Sequence, residues 1–176
     1  MNDEAMAPHP GFEDFYQSEH ARLVTSLLLV TGDPDAARDA TDEAFVRALG
    51  AWRRVSAMDS PAGWTYRVAL NVARRRARRA GLERRLLARQ PPPPAIVAAP
   101  AGEAWALVAD LPLRQRTAVV LRFVADLTEG QIAQVMGISR STVSSTLADA
   151  TRSLGRALSE DPEPAAANEP AGGQHG

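Results

Sequence analysis

Between Phe12 and Val30 the apolar residues Phe12, Phe15, Tyr16, Leu23, Leu27 and Val30 return at intervals of three and four, the period of one helix face. Thr31-Gly32-Asp33-Pro34 interrupts that pattern. Asp33 is placed to cap a second helix whose first position is Pro34, where a missing N–H costs nothing. Ala36, Ala40, Ala44, Phe45, Ala48 and Leu49 carry this helix to about Trp52. A loop is expected around Ser56 to Ser60, and Pro61 then opens a helix through Trp64, Val68 and Val72 into a run of arginines.

The pattern stops at residues 90–102, QPPPPAIVAAPAG, where five prolines in thirteen residues cannot hold a helix. Consecutive prolines extend at about 3.1 Å per residue, giving a reach of roughly 40 Å. That length is expected to hold two units apart rather than pack them. A second helical unit begins near Glu103 and ends near Leu158. The tail, residues 159–176, is rich in Pro, Ala, Gly and acid and is expected to be disordered, as are residues 1–11. The expectation is an all-α chain of two small helical domains, residues 12–89 and 103–158, joined by the proline-rich linker.

Composition narrows the chemistry. The aromatic share is only 5%, and Ala, Leu, Val and Arg dominate the middle of the chain, which favours helices over sheets. There is no cysteine, so neither a disulfide framework nor a thiolate metal site is available. His9, His20 and His175 are scattered, and no metal or other cofactor is expected. No apolar run is long enough to span a bilayer, and MNDEAMAPHP lacks a signal pattern, so a cytoplasmic location without membrane insertion is expected.

Charge is distributed unevenly. Residues 1–63 sum to −6, residues 64–89 to +8 and residues 90–176 to −3, inside a chain whose net charge is −1. A cationic block of that density is an electrostatic footprint for a polyanion, although a solvated helix face would look the same in isolation. All 20 basic residues are arginine, which suits phosphate and base-edge contacts and which a GC-rich genome would also produce.

The most specific local signal is LTEGQIAQVMGISRSTVSSTLADA, residues 127–150. Thr128 can cap a short helix holding Ile132, Ala133, Val135 and Met136, and Gly137 sits where that helix must end left-handed. Ser139 can cap the next helix, whose Val143 and Leu147 form an apolar i,i+4 pair. This spacing fits a helix-turn-helix, whose second helix enters the DNA major groove with its first residues forward.

With Leu111-Pro112-Leu113-Arg114-Gln115-Arg116 and Leu121-Arg122-Phe123 before it, this segment resembles region 4 of extracytoplasmic-function sigma factors of bacterial RNA polymerase, in an actinobacterial form. The resemblance implies contact with the promoter's minus-thirty-five element through Arg114, Ser139, Arg140, Ser141, Thr142, Ser144 and Ser145, and contact with the polymerase β flap. One departure matters. The family's recognition helix carries cations at the positions of Ser144 and Thr146, and here Asp149 lies in the next turn. Each lost phosphate contact weakens binding and flattens its salt dependence.

The first domain resembles the same family independently. Asp39 to Ala48 is similar to region 2.2, which implies that Asp39, Asp42, Glu43 and Arg47 dock on the polymerase β′ clamp. Asp39, Glu43 and Arg47 share one helix face, but a row of internal ion pairs worth about 0.3–0.5 kcal/mol each would read identically. Trp64, Tyr66, Arg67, Ala69 and Asn71 match regions 2.3 and 2.4, while Thr65 and Leu70 depart. The resemblance implies minus-ten contacts from Trp64, Arg67, Asn71, Arg74, Arg75 and Arg78, with Trp64 itself more simply read as core. Aromatic faces, arginine and an amide can hold an unstacked single strand during promoter melting.

The functional expectation is a promoter-recognising sigma factor that partners core RNA polymerase and promoter DNA, is open to control by an anti-sigma protein, and is not an enzyme. A stand-alone helix-turn-helix regulator would explain residues 127–150 but leave the first domain without a purpose. A sigma-like protein that has lost promoter contact is the reading suggested by Ser144, Thr146 and Asp149. No glycine-rich phosphate loop or histidine dyad supports catalysis.

Overall fold

The computed structural model describes residues 11–86 and 103–160; the expected linker, tail and disordered N-terminus fall outside them, apart from Gly11 and the last helical residues. The described residues form eight helices: α1 (Phe12–Thr31), α2 (Pro34–Gly50), α3 (Trp52–Val55), α4 (Pro61–Leu86), α5 (Glu103–Asp110), α6 (Leu113–Phe123), α7 (Glu129–Met136) and α8 (Arg140–Glu160). The all-α expectation holds.

The punctuation read from the sequence acts as anticipated. Gly32 ends α1 in the left-handed region, with φ of 71°, and its N–H donates to Leu28 O. Asp33 Oδ1 accepts from the N–H groups of Asp35 and Ala36 at 3.0 and 2.9 Å, with Pro34 in the first turn. The second helix stops at Gly50, short of the expected Trp52, which instead opens the brief α3.

Helices α1, α2 and α4 make the first bundle. Ala37, Ala40, Ala44 and Ala48 are fully buried along one face of α2, so neighbouring backbones approach closely. Phe45 is core and packs among Phe12, Phe15, Tyr16 and His20, with ring centroids 4.9–6.4 Å apart. Tyr66 is 1% exposed, and its burial pushes the phenol up to about 12. Helices α5 to α8 make the second bundle around Val120, Leu121, Ile132 and Val143.

The two bundles are not held apart. Their buried side chains form one continuous cluster, with α1 against α6 and α4 against α7. Arg116 Nη1 also donates to Val30 O, 3.4 Å away in the last turn of α1. The expected separation is therefore corrected. Loop-closure entropy grows only slowly with linker length, so a long linker opposes packing weakly. Covering the apolar surface that each small bundle leaves bare works in the other direction.

Candidate nucleic-acid interface

On α4 the residues Arg67, Asn71, Arg74 and Arg78 fall at i, i+4, i+7 and i+11, a single stripe opposite the buried Ala69, Leu70, Val72 and Ala73. Arg67, Asn71 and Arg78 are exposed, and Arg74 is half-buried. Among the described residues, none of these three arginines has a carboxylate within ion-pair distance. Among the described residues the stripe's charge is uncompensated, as a phosphate-tracking surface needs.

Trp64 stands at the start of this stripe. It is half-buried and lies outside the aromatic cluster, against the simpler reading of it as core. It lines an open crevice of about 640 Å³ with Arg54, Met58, Asp59, Ser60, Gly63 and Arg67. Ala57 to Ser60 form the opposite wall, and none of them was among the residues expected at the site. The signal was Ser60 before Pro61. Gly63 N–H donates to Ser60 Oγ at 2.9 Å, and a Cβ at Gly63 would meet that oxygen at 2.8 Å. Gly63 thus lets the loop close on the helix start.

Arg75 departs from its expected companions. It lines a different concavity with Glu43, Arg47, Val72, Arg76 and Arg79, on the α2 side of the helix. On α2 itself, Asp39, Asp42 and Arg47 are exposed and Glu43 is half-buried. Arg47 pairs with Glu43, Arg76 pairs with Asp39, and His20 lies 3.6 Å from Asp42. Part of that helix face is therefore an internal ion-pair row, tied across to α4.

In the second bundle Thr128 and Gln131 form a reciprocal cap at the start of α7, and Gly137 ends that helix with φ of 68°. Ser139 Oγ accepts from Thr142 N–H at 3.1 Å, so its hydroxyl serves as the cap of α8. Arg140, Ser141, Ser144 and Ser145 are exposed on the first turns, Thr142 is half-buried, and Arg114 is exposed at the start of α6. Thr146 does not belong to this surface. It is 7% exposed and donates to Thr142 O at 2.7 Å, so its hydroxyl is turned inward, contrary to the idea that it faces DNA. Arg140 lies 3.5 Å from Glu129, and Arg152 donates to Asp149 at 2.6 Å.

A third surface is apolar. Trp105, Val108, Val119, Phe123, Leu154 and Leu158 line a groove of about 460 Å³ among α5, α6 and α8, with Phe123 72% exposed. No described helix is long and apolar enough to cross a membrane, and the described residues contain no cluster of metal-ligating side chains.

Two family models match the chain: Sigma-70 region 2 over residues 15–83 and Sigma-70 region 4 over residues 101–154. No curated protein matches. Among solved structures, the chain is similar to the sigma factor RpoE from Bartonella quintana, in complex with the anti-sigma factor NepR. That match has a TM-score of 0.73 at 18% identity, covering 86% of this chain and 98% of the other. It is also similar to CnrH in complex with the cytosolic domain of CnrY, with a TM-score of 0.61 at 20% identity, covering 89% and 92%.

Proposed function

The chain belongs to the sigma-70 family, with the two-domain organisation of its extracytoplasmic-function type, and from that premise we propose how its surfaces divide the work of initiation. As a sigma factor it binds RNA polymerase and recognises promoters. In the proposed division, the α4 stripe of Arg67, Asn71, Arg74 and Arg78 tracks the minus-ten element. The Trp64 crevice receives a base drawn out of the stack. Capture of an unstacked base favours the melted strand, since every base offers a face for an aromatic ring.

The minus-thirty-five element is assigned to Arg114 and to Arg140, Ser141, Thr142, Ser144 and Ser145 on α8, with Ser139 holding that helix's start. Asp39, Asp42, Glu43 and Arg47 dock on the β′ clamp. Arg75 joins them because it opens on the same side as Glu43 and Arg47. The apolar groove around Phe123 takes the β flap, since an exposed aromatic residue of the Leu121-Arg122-Phe123 motif is otherwise costly to leave in water. The protein works in the cytoplasm as a non-catalytic specificity subunit. An anti-sigma protein is a fitting regulator, since the Bartonella factor is held by one.

The observation that carries this reading is the cationic stripe, without carboxylate partners among the described residues, running into an open crevice headed by Trp64. Purified core polymerase supplemented with the protein and genomic fragments tests it. Transcripts with defined starts that depend on the protein are expected. Failure to associate with core enzyme at low salt, with no inhibitor present, would overturn it.

A further inference from the structure

Stacking on Trp64 accepts any base, because all four offer a π-face. Whatever distinguishes one base from another in this crevice has to act on the base's edge. The polar side chains that line it are Arg54, Asp59, Ser60, Arg67 and Gln134. The two arginines can only donate, and the amide of Gln134 both donates and accepts, so it suits any edge. Ser60 Oγ already accepts from Gly63 N–H at 2.9 Å. Asp59 is the one carboxylate among the described lining residues, and it can only accept.

The backbone on both sides of Asp59 is tied down. Met58 N–H donates to Val55 O at 3.1 Å, and Trp64 N–H donates to Ser60 O at 3.1 Å. The side chain between them is exposed. Neither Arg54 nor Arg67 lies within ion-pair distance of it, although both line the same crevice. A carboxylate beside the start of α4 is favoured by that helix's dipole. On a surface that meets DNA it also repels phosphate, a cost that a hydrogen bond from a base edge offsets.

A base drawn out of the stack exposes its Watson–Crick edge. Cytosine, adenine and guanine each carry an exocyclic amino group there, a donor that a carboxylate accepts. Thymine offers one imide N–H flanked by two carbonyl oxygens, which would meet the carboxylate oxygen to oxygen. Cytosine also turns its ring nitrogen and carbonyl oxygen toward a guanidinium fork such as that of Arg54 or Arg67. We propose that Asp59 makes the crevice select a base bearing an exocyclic amino group and reject thymine. This rests on the reading of the crevice as a base-capture site and adds the class of base that it takes.

The bases 5-methylcytosine and thymine share ring size and methyl group and differ on the pairing edge, so they isolate this contact. Holoenzyme reconstituted from core polymerase and the full-length protein is titrated with a promoter duplex whose minus-ten element is a preformed bubble. The bubble removes any difference in pairing strength, and each of its non-template positions carries one base or the other in turn. At one position the wild type is expected to prefer 5-methylcytosine by roughly 5- to 150-fold, the range of one well-paired base edge. Asp59→Asn should bring that preference to about twofold or less, because its amide can serve either edge. It should do so by weakening the methylcytosine template and strengthening the thymine one, whereas damage to the fold would weaken both alike. No preference at any position, or a preference that Asp59→Asn leaves intact, would overturn the proposal. If Trp64→Ala binds both templates as the wild type does, base capture itself fails. If core enzyme alone binds them as well as holoenzyme does, the sigma-factor reading fails.

Discussion

Helices α4 and α8 are both assigned to DNA, yet they are electrostatic opposites. On α4 the stripe arginines stand without described carboxylate partners, beside an aromatic ring at the mouth of a crevice. On α8 the first exposed turns carry hydroxyls, and the two nearest arginines each face an acid, Arg140 with Glu129 and Arg152 with Asp149. Exposed pairs of this kind contribute little to stability, but they lower the charge offered to phosphate. A family's fold can thus be kept while its affinity shifts from one reading helix to the other. In the proposed division the shift favours the minus-ten side.

The largest effect that would sharpen this contrast is expected at Trp64. Base–aromatic stacking is worth about 1–3 kcal/mol, so Trp64→Ala should reduce open complexes by roughly 5- to 150-fold with core binding intact. Permanganate reactivity of unpaired thymines reads this directly, and equal reactivity would return Trp64 to the scaffold. Next, Arg67→Ala should weaken open complexes by about tenfold, the loss of one charge-assisted contact near 1.5 kcal/mol. Arg75→Ala should instead weaken assembly with core enzyme, which analytical gel filtration would show. Were both variants to fail at the same step, the partition of α4 into two faces would be wrong.

On α8, Ser144→Lys should strengthen binding to an upstream-element duplex and steepen the log–log salt dependence by about 0.9 for one added phosphate contact. Fluorescence anisotropy over a salt series measures it. An unchanged slope would mean that Ser144 does not face phosphate. The smallest expected change tests the scaffold behind α4. Burial holds the Glu19 carboxyl above its ordinary value of 4.5, with Arg22 opposing the shift. The folded chain therefore binds this proton more tightly than the unfolded chain. Stability should fall as pH rises from 4.5 through the raised value, and Glu19→Gln should flatten that fall and raise the midpoint slightly near neutral pH. Thermal melts between pH 4 and 7 decide it.

Much of this was legible because it is local. Asp33-Pro34, Thr128 and Ser139 each write a helix start within four residues, and each forms as read. The inward turn of Thr146 was also written in the chain, since Val143, Thr146 and Ala150 share an apolar spacing, but resemblance to a cation at that position obscured it. Two features could not be read locally. Whether Trp64 is covered depends on where the loop from Ser56 to Ser60 comes to rest, and that is fixed by a contact with Gly63. The packing of α4 on α7 and of α1 on α6 joins segments some 60 to 90 residues apart across a linker whose composition suggested separation.

The unequal division between the two reading helices can be tested on promoters whose start sites have been mapped with the reconstituted holoenzyme. Each promoter is transcribed with its minus-ten or its minus-thirty-five element scrambled, at two salt concentrations. The account predicts that scrambling the minus-ten element abolishes the start-specific transcript, whereas scrambling the upstream element reduces it only several-fold. A transcript that tolerates a scrambled minus-ten element but vanishes with the upstream one would contradict it.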